Sequence, residues 1–102
     1  MKILVADDSS TVRRLVAARL ALSELPDLIV LDKVMPKLDG FEVVRILRER
    51  EETRTLPIVM LTERSGEDDV LDGLGIGVDE YMPKPFSPRE LSLRVRRALE
   101  RR

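Results

Sequence analysis

Short apolar runs alternate along the chain with stretches of helical spacing. The first run, residues 2–6 (KILVA), stops at two acids, Asp7 and Asp8, which are followed by Ser9, Ser10 and Thr11, residue types that cap helix N-termini. Val12, Leu15, Val16 and Leu20 then keep the spacing of one helix face until the neighbourhood of Pro26. A second run, Leu28 to Leu31, again stops at an acid, Asp32; Pro36, Asp39 and Gly40 mark a loop, after which Phe41, Val44, Ile46 and Leu47 resume helical spacing. The third run, Ile58 to Leu61, ends at Thr62, and Gly66, Glu67 and Asp68 announce a helix carrying Val70, Leu71 and Leu74 that closes at Gly75 and Gly77. Val78 to Met82 predict a fourth strand, followed by a Pro83-Lys84-Pro85 loop. Ser87-Pro88-Arg89-Glu90 then sets Ser at the N-cap, Pro at the first helical position and Glu at the third, a capping box opening a last helix with Leu91, Val95 and Leu99 on its apolar stripe.

Strands separated by helices predict βα units, hence an α/β fold with a parallel sheet. Ligands of such sheets bind at the carboxyl ends of the strands. The residues at those ends are Asp7, Asp8, Asp32, Thr62 and, just past the fourth strand, Lys84.

Composition narrows the chemistry. The 102 residues include 18 Lys+Arg and 19 Asp+Glu, with no Cys, His or Trp. That length fits one domain, residues 1–102, burying roughly 65% of its unfolded surface. Disulfide frameworks, zinc knuckles, thiol nucleophiles and histidine bases are all excluded, so a metal site must use oxygen ligands. No cationic leader pattern or long apolar run occurs, so the expectation is a cytoplasmic protein without membrane contact. A net charge of −1 argues against direct nucleic-acid binding, although Arg94 to Arg102 holds five Arg against one Glu.

Carboxylates gathered at one edge repel unless a cation or proton compensates them. Asp7, Asp8 and Asp32 therefore suggest a Mg²⁺ site, and an aspartate beside Mg²⁺ can act as nucleophile toward phosphorus, with a Lys and a hydroxyl neutralising the transferred oxygens. Asp32 is the best-placed acceptor. The plainer reading of each residue stays open: acids follow strands because loops are polar, Lys84 is a surface lysine stiffened by its two prolines, Thr62 caps a turn, and Tyr81 is a half-buried strand aromatic. Neither GxxxxGK[ST] nor GxGxxG after the first strand is present, so the P-loop and dinucleotide readings fall.

In combination the motifs ADDSS, LDKVMPKLDG, the LT after the third run, and YMPKPF resemble the receiver domain of two-component response regulators, over Lys2 to about Leu99. TRTLPIVMLTE and FSPREL look most like receivers that precede winged-helix transcription factors. The resemblance implies a flavodoxin-like doubly wound sheet. It also implies Mg²⁺ on Asp7, Asp8, Asp32 and the backbone carbonyl of Val34, and phosphorylation of Asp32 by a sensor histidine kinase. Thr62 and Lys84 would contact the phosphoryl group, Thr62 and Tyr81 would form a switch toward an effector domain or target protein, and the Lys84-Pro85 bond would be cis. Such a domain catalyses its own aspartyl phosphorylation and dephosphorylation without turning over an external substrate. The output surface is expected on the 66–74 helix, the fourth strand and the last helix. There Glu67, Asp68, Asp69 and Asp79 would meet Arg89, Arg94, Arg96 or Arg97 of a second copy in a weak, phosphorylation-dependent homodimer.

One interval departs from that pattern. Only 24 residues separate Asp8 from Asp32, so strand two and part of helix two of the family, ~15 to 20 residues, are missing. The join is expected near Arg19 to Leu22. A segment absent from the sequence as given is favoured over a chain that is truly short, because a true deletion would remove an edge strand and leave the last helix to cover its face alone. Glu63 is a second departure: small residues are usual after the switch hydroxyl, and a carboxylate there would slow an anionic phosphodonor. The rival function is a phosphorylation-independent docking module on the same fold; a Mg²⁺ phosphohydrolase is disfavoured because no second acid follows Asp32 at close spacing.

Overall fold

The computed structural model describes residues 2–6, 13, 25–35, 38–62 and 77–101. Strands β1 (Ile3–Ala6), β2 (Leu28–Asp32), β5 (Ile58–Thr62) and β6 (Glu80–Pro83) form one sheet in the order β1-β2-β5-β6, all neighbours parallel. A two-residue antiparallel ladder, β3 (Val34–Met35) with β4 (Leu38–Asp39), stands between β2 and helix α1 (Gly40–Glu49), and helix α2 (Pro88–Glu100) ends the described chain. The helix expected at 66–74 and the join at Arg19 to Leu22 lie outside the described residues, as does the helix expected at 12–20 apart from residue 13, which is helical.

The central strands are apolar on both faces because both are covered. One face packs Ile29, Leu31, Ile58, Met60 and Tyr81 against Val43, Val44 and Leu47 of α1. The other packs Leu28, Val30, Val59, Leu61 and Met82 against Val95 and Ala98 of α2. At roughly 1.5–3 kcal/mol for each fully buried aliphatic side chain, these two layers supply most of the driving force for folding. β1 departs from this pattern: Leu4 and Ala6 join the α1 face, but Ile3 and Val5, on the α2 face, are 43% and 55% exposed. Among the described residues no strand lies beyond β1, as the short Asp8 to Asp32 interval implies.

The helix ends follow the sequence. Asp39 caps α1, its side chain accepting from the Phe41 N–H at 2.9 Å, and Ser87 caps α2, its hydroxyl accepting from the Glu90 N–H at 3.1 Å with Pro88 in the first turn. Two boundaries differ from expectation. The segment after Asp32 is a short ladder rather than a plain loop, because Asp39 pairs with Val34 before the helix begins. The last strand starts at Glu80 and includes Pro83, so Val78 and Asp79 precede it.

Arg48 holds this segment through the residues on either side of Val78. Its guanidinium donates to the carbonyls of Leu56 (2.6 Å) and Gly77 (2.7 Å) and to Asp79 Oδ2 (3.1 Å), while the same carboxylate oxygen accepts from the Ile58 N–H at 2.7 Å. Gly77 has φ +103°, and a Cβ there would come within 2.9 Å of Arg48 Nε. Only glycine meets both demands without strain.

Candidate functional site

Parallel pairing brings the carboxyl ends of β2, β5 and β6 side by side. Asp32 is the last residue of β2, opposite Leu61; Thr62 is the last of β5, opposite Pro83; and Lys84 follows directly. The turn out of β6 is tied back to the sheet by the Lys84 N–H, which donates to the Thr62 carbonyl at 2.7 Å, and the Lys84-Pro85 peptide is cis, as expected. The ammonium meets the end of β2: Lys84 Nζ lies 2.6 Å from Asp32 Oδ2. The carboxylate is well shielded, at 13% exposure, while the lysine reaches it from a position 36% exposed.

Thr62 is buried at 2% exposure, and its hydroxyl has no hydrogen-bond partner among the described residues. Buried polar atoms are nearly always satisfied, so an orphaned hydroxyl at the end of a strand marks a place where an acceptor oxygen is expected. Tyr81 is buried at 8% exposure; the register pairs Met60 with Tyr81 and Thr62 with Pro83, so Thr62 and Tyr81 share the α1 face of the sheet. It is more deeply buried than the half-exposed strand aromatic of the plainer reading.

The backbone after Asp32 is held tightly. Lys33 N–H donates to the Leu61 carbonyl at 2.9 Å, and the Lys33 carbonyl accepts from Gly40 N–H at 2.8 Å. A Cβ on Gly40 would sit 2.7 Å from Lys33 Cα and 2.9 Å from the Asp32 carbonyl oxygen. Lys33 Nζ lies 5.0 Å from the centre of the Phe41 ring, a cation–π contact closing the same turn. The sequence marked Gly40 as a loop residue; its close approach to the backbone of Asp32 and Lys33 is a tertiary fact that spacing does not show.

Asp7 and Asp8 lie outside the described residues. β1 ends at Ala6, paired with Leu31, one residue short of Asp32, so both acids follow in sequence the strand end that adjoins Asp32. Two residues assigned to a surface interaction belong elsewhere. Asp79 is 7% exposed and committed to Arg48 and the Ile58 N–H, so it is not an interface acid. Arg94 contacts Glu80 at 3.2 Å and Glu90 at 3.8 Å in its own chain, and Arg101 reaches the same Glu80 at 2.8 Å. The buried Glu80 thus draws the arginines inward, fixing α2 against β6.

With this geometry established, comparison with known proteins decides the family. A profile of the response regulator receiver domain matches residues 16–96. The chain belongs to this family. Among its relatives, the probable transcriptional regulator ycf27 of Porphyridium aerugineum is 40% identical over 119 aligned positions, covering 98% of this chain and 48% of that protein. The alkaline phosphatase synthesis transcriptional regulatory protein PhoP of Bacillus subtilis is 51% identical over 85, covering 83% and 35%. The receiver therefore spans half or less of these curated relatives, which are transcriptional regulators, the type its motifs resemble. Because 119 aligned positions face a chain of 102 residues, at least 17 (119 less 102) have no counterpart in this receiver. Among solved structures, the chemotaxis response regulator CheY4 of Vibrio cholerae superposes with TM-score 0.74 at 27% identity, covering 96% of this receiver and 98% of that chain. The receiver domain of the sensor histidine kinase PA1611 from Pseudomonas aeruginosa, described with a magnesium ion coordinated in its active-site cleft, superposes with TM-score 0.70 at 26% identity, covering 96% of both.

Proposed function

We propose that this receiver is a phosphoacceptor module. It takes a phosphoryl group from the phosphohistidine of a sensor histidine kinase onto Asp32 and so changes the surface offered to an effector domain or target protein. The observation that carries this reading is the 2.6 Å contact of Lys84 with Asp32, beside a buried and unpartnered Thr62 hydroxyl.

The donor set fits Mg²⁺: Asp32 and the Val34 carbonyl, with Asp7 and Asp8 next after β1, are hard oxygen ligands, and the chain has no Cys or His to compete for a softer metal. When bound, the ion neutralises the acids and screens the oxygens of the incoming phosphoryl group. In the transfer an Asp32 carboxylate oxygen forms the new bond to phosphorus while the bond from phosphorus to the donor nitrogen breaks, leaving that nitrogen its electron pair. Lys84 passes from the carboxylate to a phosphoryl oxygen, and the Thr62 hydroxyl, a buried polar atom with no partner among the described residues, donates to another. Tyr81, on the same sheet face, responds to that movement and couples the site to β6. The reaction is the receiver's own phosphorylation and hydrolysis, carried out in the cytoplasm.

Incubation with Mg²⁺ and a small phosphodonor tests this. The intact mass should gain one phosphoryl group, and Asp32→Asn should abolish the gain. An unmodified mass, under conditions that label a control receiver, would overturn the proposal in favour of a docking module whose partner binding survives Asp32→Asn.

A further inference from the structure

Among the described residues the sheet ends on one side at β1, and the strand itself carries none of the devices that protect an exposed edge. Its sequence, ILVA, has no proline, charge or bulge, and Ile3 and Val5 project 43% and 55% exposed on the α2 face. An apolar strand of this kind belongs in the interior of a sheet. The chain is also at least 17 positions shorter than the relatives aligned over its whole length, and its short interval directly follows this strand.

The free hydrogen-bonding groups can be assigned. The Ile29 N–H turns toward β5, donating to the Pro57 carbonyl at 3.0 Å, so Leu28 and Val30 turn theirs toward β1. In the register Ile3 with Leu28, the parallel ladder then uses Lys2, Leu4 and Ala6, and the Asp27 N–H indeed donates to the Lys2 carbonyl at 2.8 Å. The N–H and C=O groups of Ile3 and Val5 are left aimed outward, away from β2, where no strand lies among the described residues.

From this we infer that β1 is the interface with a second copy of this chain, two β1 strands pairing antiparallel across a two-fold axis through Leu4. That register sets Ile3 of each copy opposite Val5 of the other. The pair is of the hydrogen-bonded kind, each residue exchanging both its N–H and its C=O, so all the outward groups are satisfied at once. The same two residues bring four exposed β-branched side chains together on one face, the cross-strand pairing that β-branched residues favour. The direction follows from the ladder itself, since only antiparallel strands let two facing residues exchange both their N–H and their C=O groups. The patch is self-complementary, as a closed two-fold dimer requires, and it joins two four-stranded sheets into one. This interface lies on the side of the sheet opposite β6 and does not depend on phosphorylation.

Sedimentation velocity of the whole 102-residue chain, without Mg²⁺ or phosphodonor, tests the pairing. At tens of micromolar to millimolar protein the mass should rise toward twice 11.6 kDa. Val5→Lys should return it to the monomer with its circular dichroism intact, while Arg96→Glu on α2 should leave the dimer unchanged. Because the chain has no cysteine, Leu4→Cys offers a second readout: residues facing across the axis in a non-hydrogen-bonded pair are ~4.5 Å apart at Cα, within disulfide range. Mild oxidation should crosslink Leu4→Cys at least ten times faster than Arg96→Cys at equal concentration. A wild-type chain that stays at 11.6 kDa throughout, a dimer that survives Val5→Lys, or equal crosslinking of the two cysteine variants would each overturn the inference.

Discussion

Thr62 carries an apparent contradiction within one side chain: it is 2% exposed, yet its hydroxyl has no partner among the described residues. An unsatisfied buried polar group costs about 1–3 kcal/mol, so replacing the hydroxyl by a methyl should relieve the resting fold rather than harm it. Thr62→Val is expected to leave the urea midpoint unchanged or raise it by up to about 1 kcal/mol in stability, while the phosphorylated protein loses its altered surface. A clear drop in stability would show that the hydroxyl is already satisfied in solution. Gly40 behaves in the opposite way. A methyl there meets the backbone of Lys33 and Asp32 rather than a side chain that can move aside, so Gly40→Ala should cost about 1–3 kcal/mol by overpacking and slow phosphorylation by shifting the acceptor. Equilibrium unfolding beside a phosphorylation time course would show both effects together. The sequence identifies Asp32, Thr62 and Lys84 because strand ends can be read from where apolar runs stop. It marks Gly40 only as a loop residue, because the neighbour of Gly40 across the turn is set by the β3–β4 ladder.

At the level of elements, the parts legible in the sequence are those built from local rules: four apolar runs became four strands, and Ser87 and Asp39 cap helices where capping residues stand. The charged residues were harder to place, because one Arg or Asp looks like another until its neighbours are known. Arg48 falls among exposed polar positions of α1, and Asp79 follows an apolar Val78 much as a surface acid would, yet the two meet at 3.1 Å with exposures of 14% and 7%. Removing one member of a buried pair strands the other, at about 3–5 kcal/mol. Arg48→Met should therefore destabilise the fold by roughly that amount. Adding Asp79→Asn should restore part of the loss, since the amide oxygen still accepts from the Ile58 N–H and no charge is left uncompensated. A double-mutant cycle in urea measures the coupling, and strictly additive losses would show that the two side chains act independently.

For the whole molecule, the site exists only while the sheet does, since the acceptor, hydroxyl and lysine come from three strand ends far apart in sequence and the remaining acids follow a fourth. The unfolded chain has no such cluster, so a cation held by these oxygens binds the folded state alone and stabilises it by mass action. At Mg²⁺ about ten times its dissociation constant the gain is about 1.4 kcal/mol. For a domain of this size that raises the melting temperature by about 6–11 °C, each kcal/mol being worth ~4–8 °C. The shift should be lost in Asp32→Ala and reduced in Asp8→Ala, because each removed carboxylate weakens attraction for an ion that must give up water to bind. Potassium chloride at matched ionic strength separates site binding from general screening, which acts within roughly 10 Å at 0.1 M salt. A melting temperature that rises equally with either salt, or a Mg²⁺ shift that persists in Asp32→Ala, would show that the strand ends do not form a cation site. A shift confined to Mg²⁺ and dependent on Asp32 would tie the metal to the acceptor itself, where Lys84 already sits 2.6 Å away and must share the carboxylate with it.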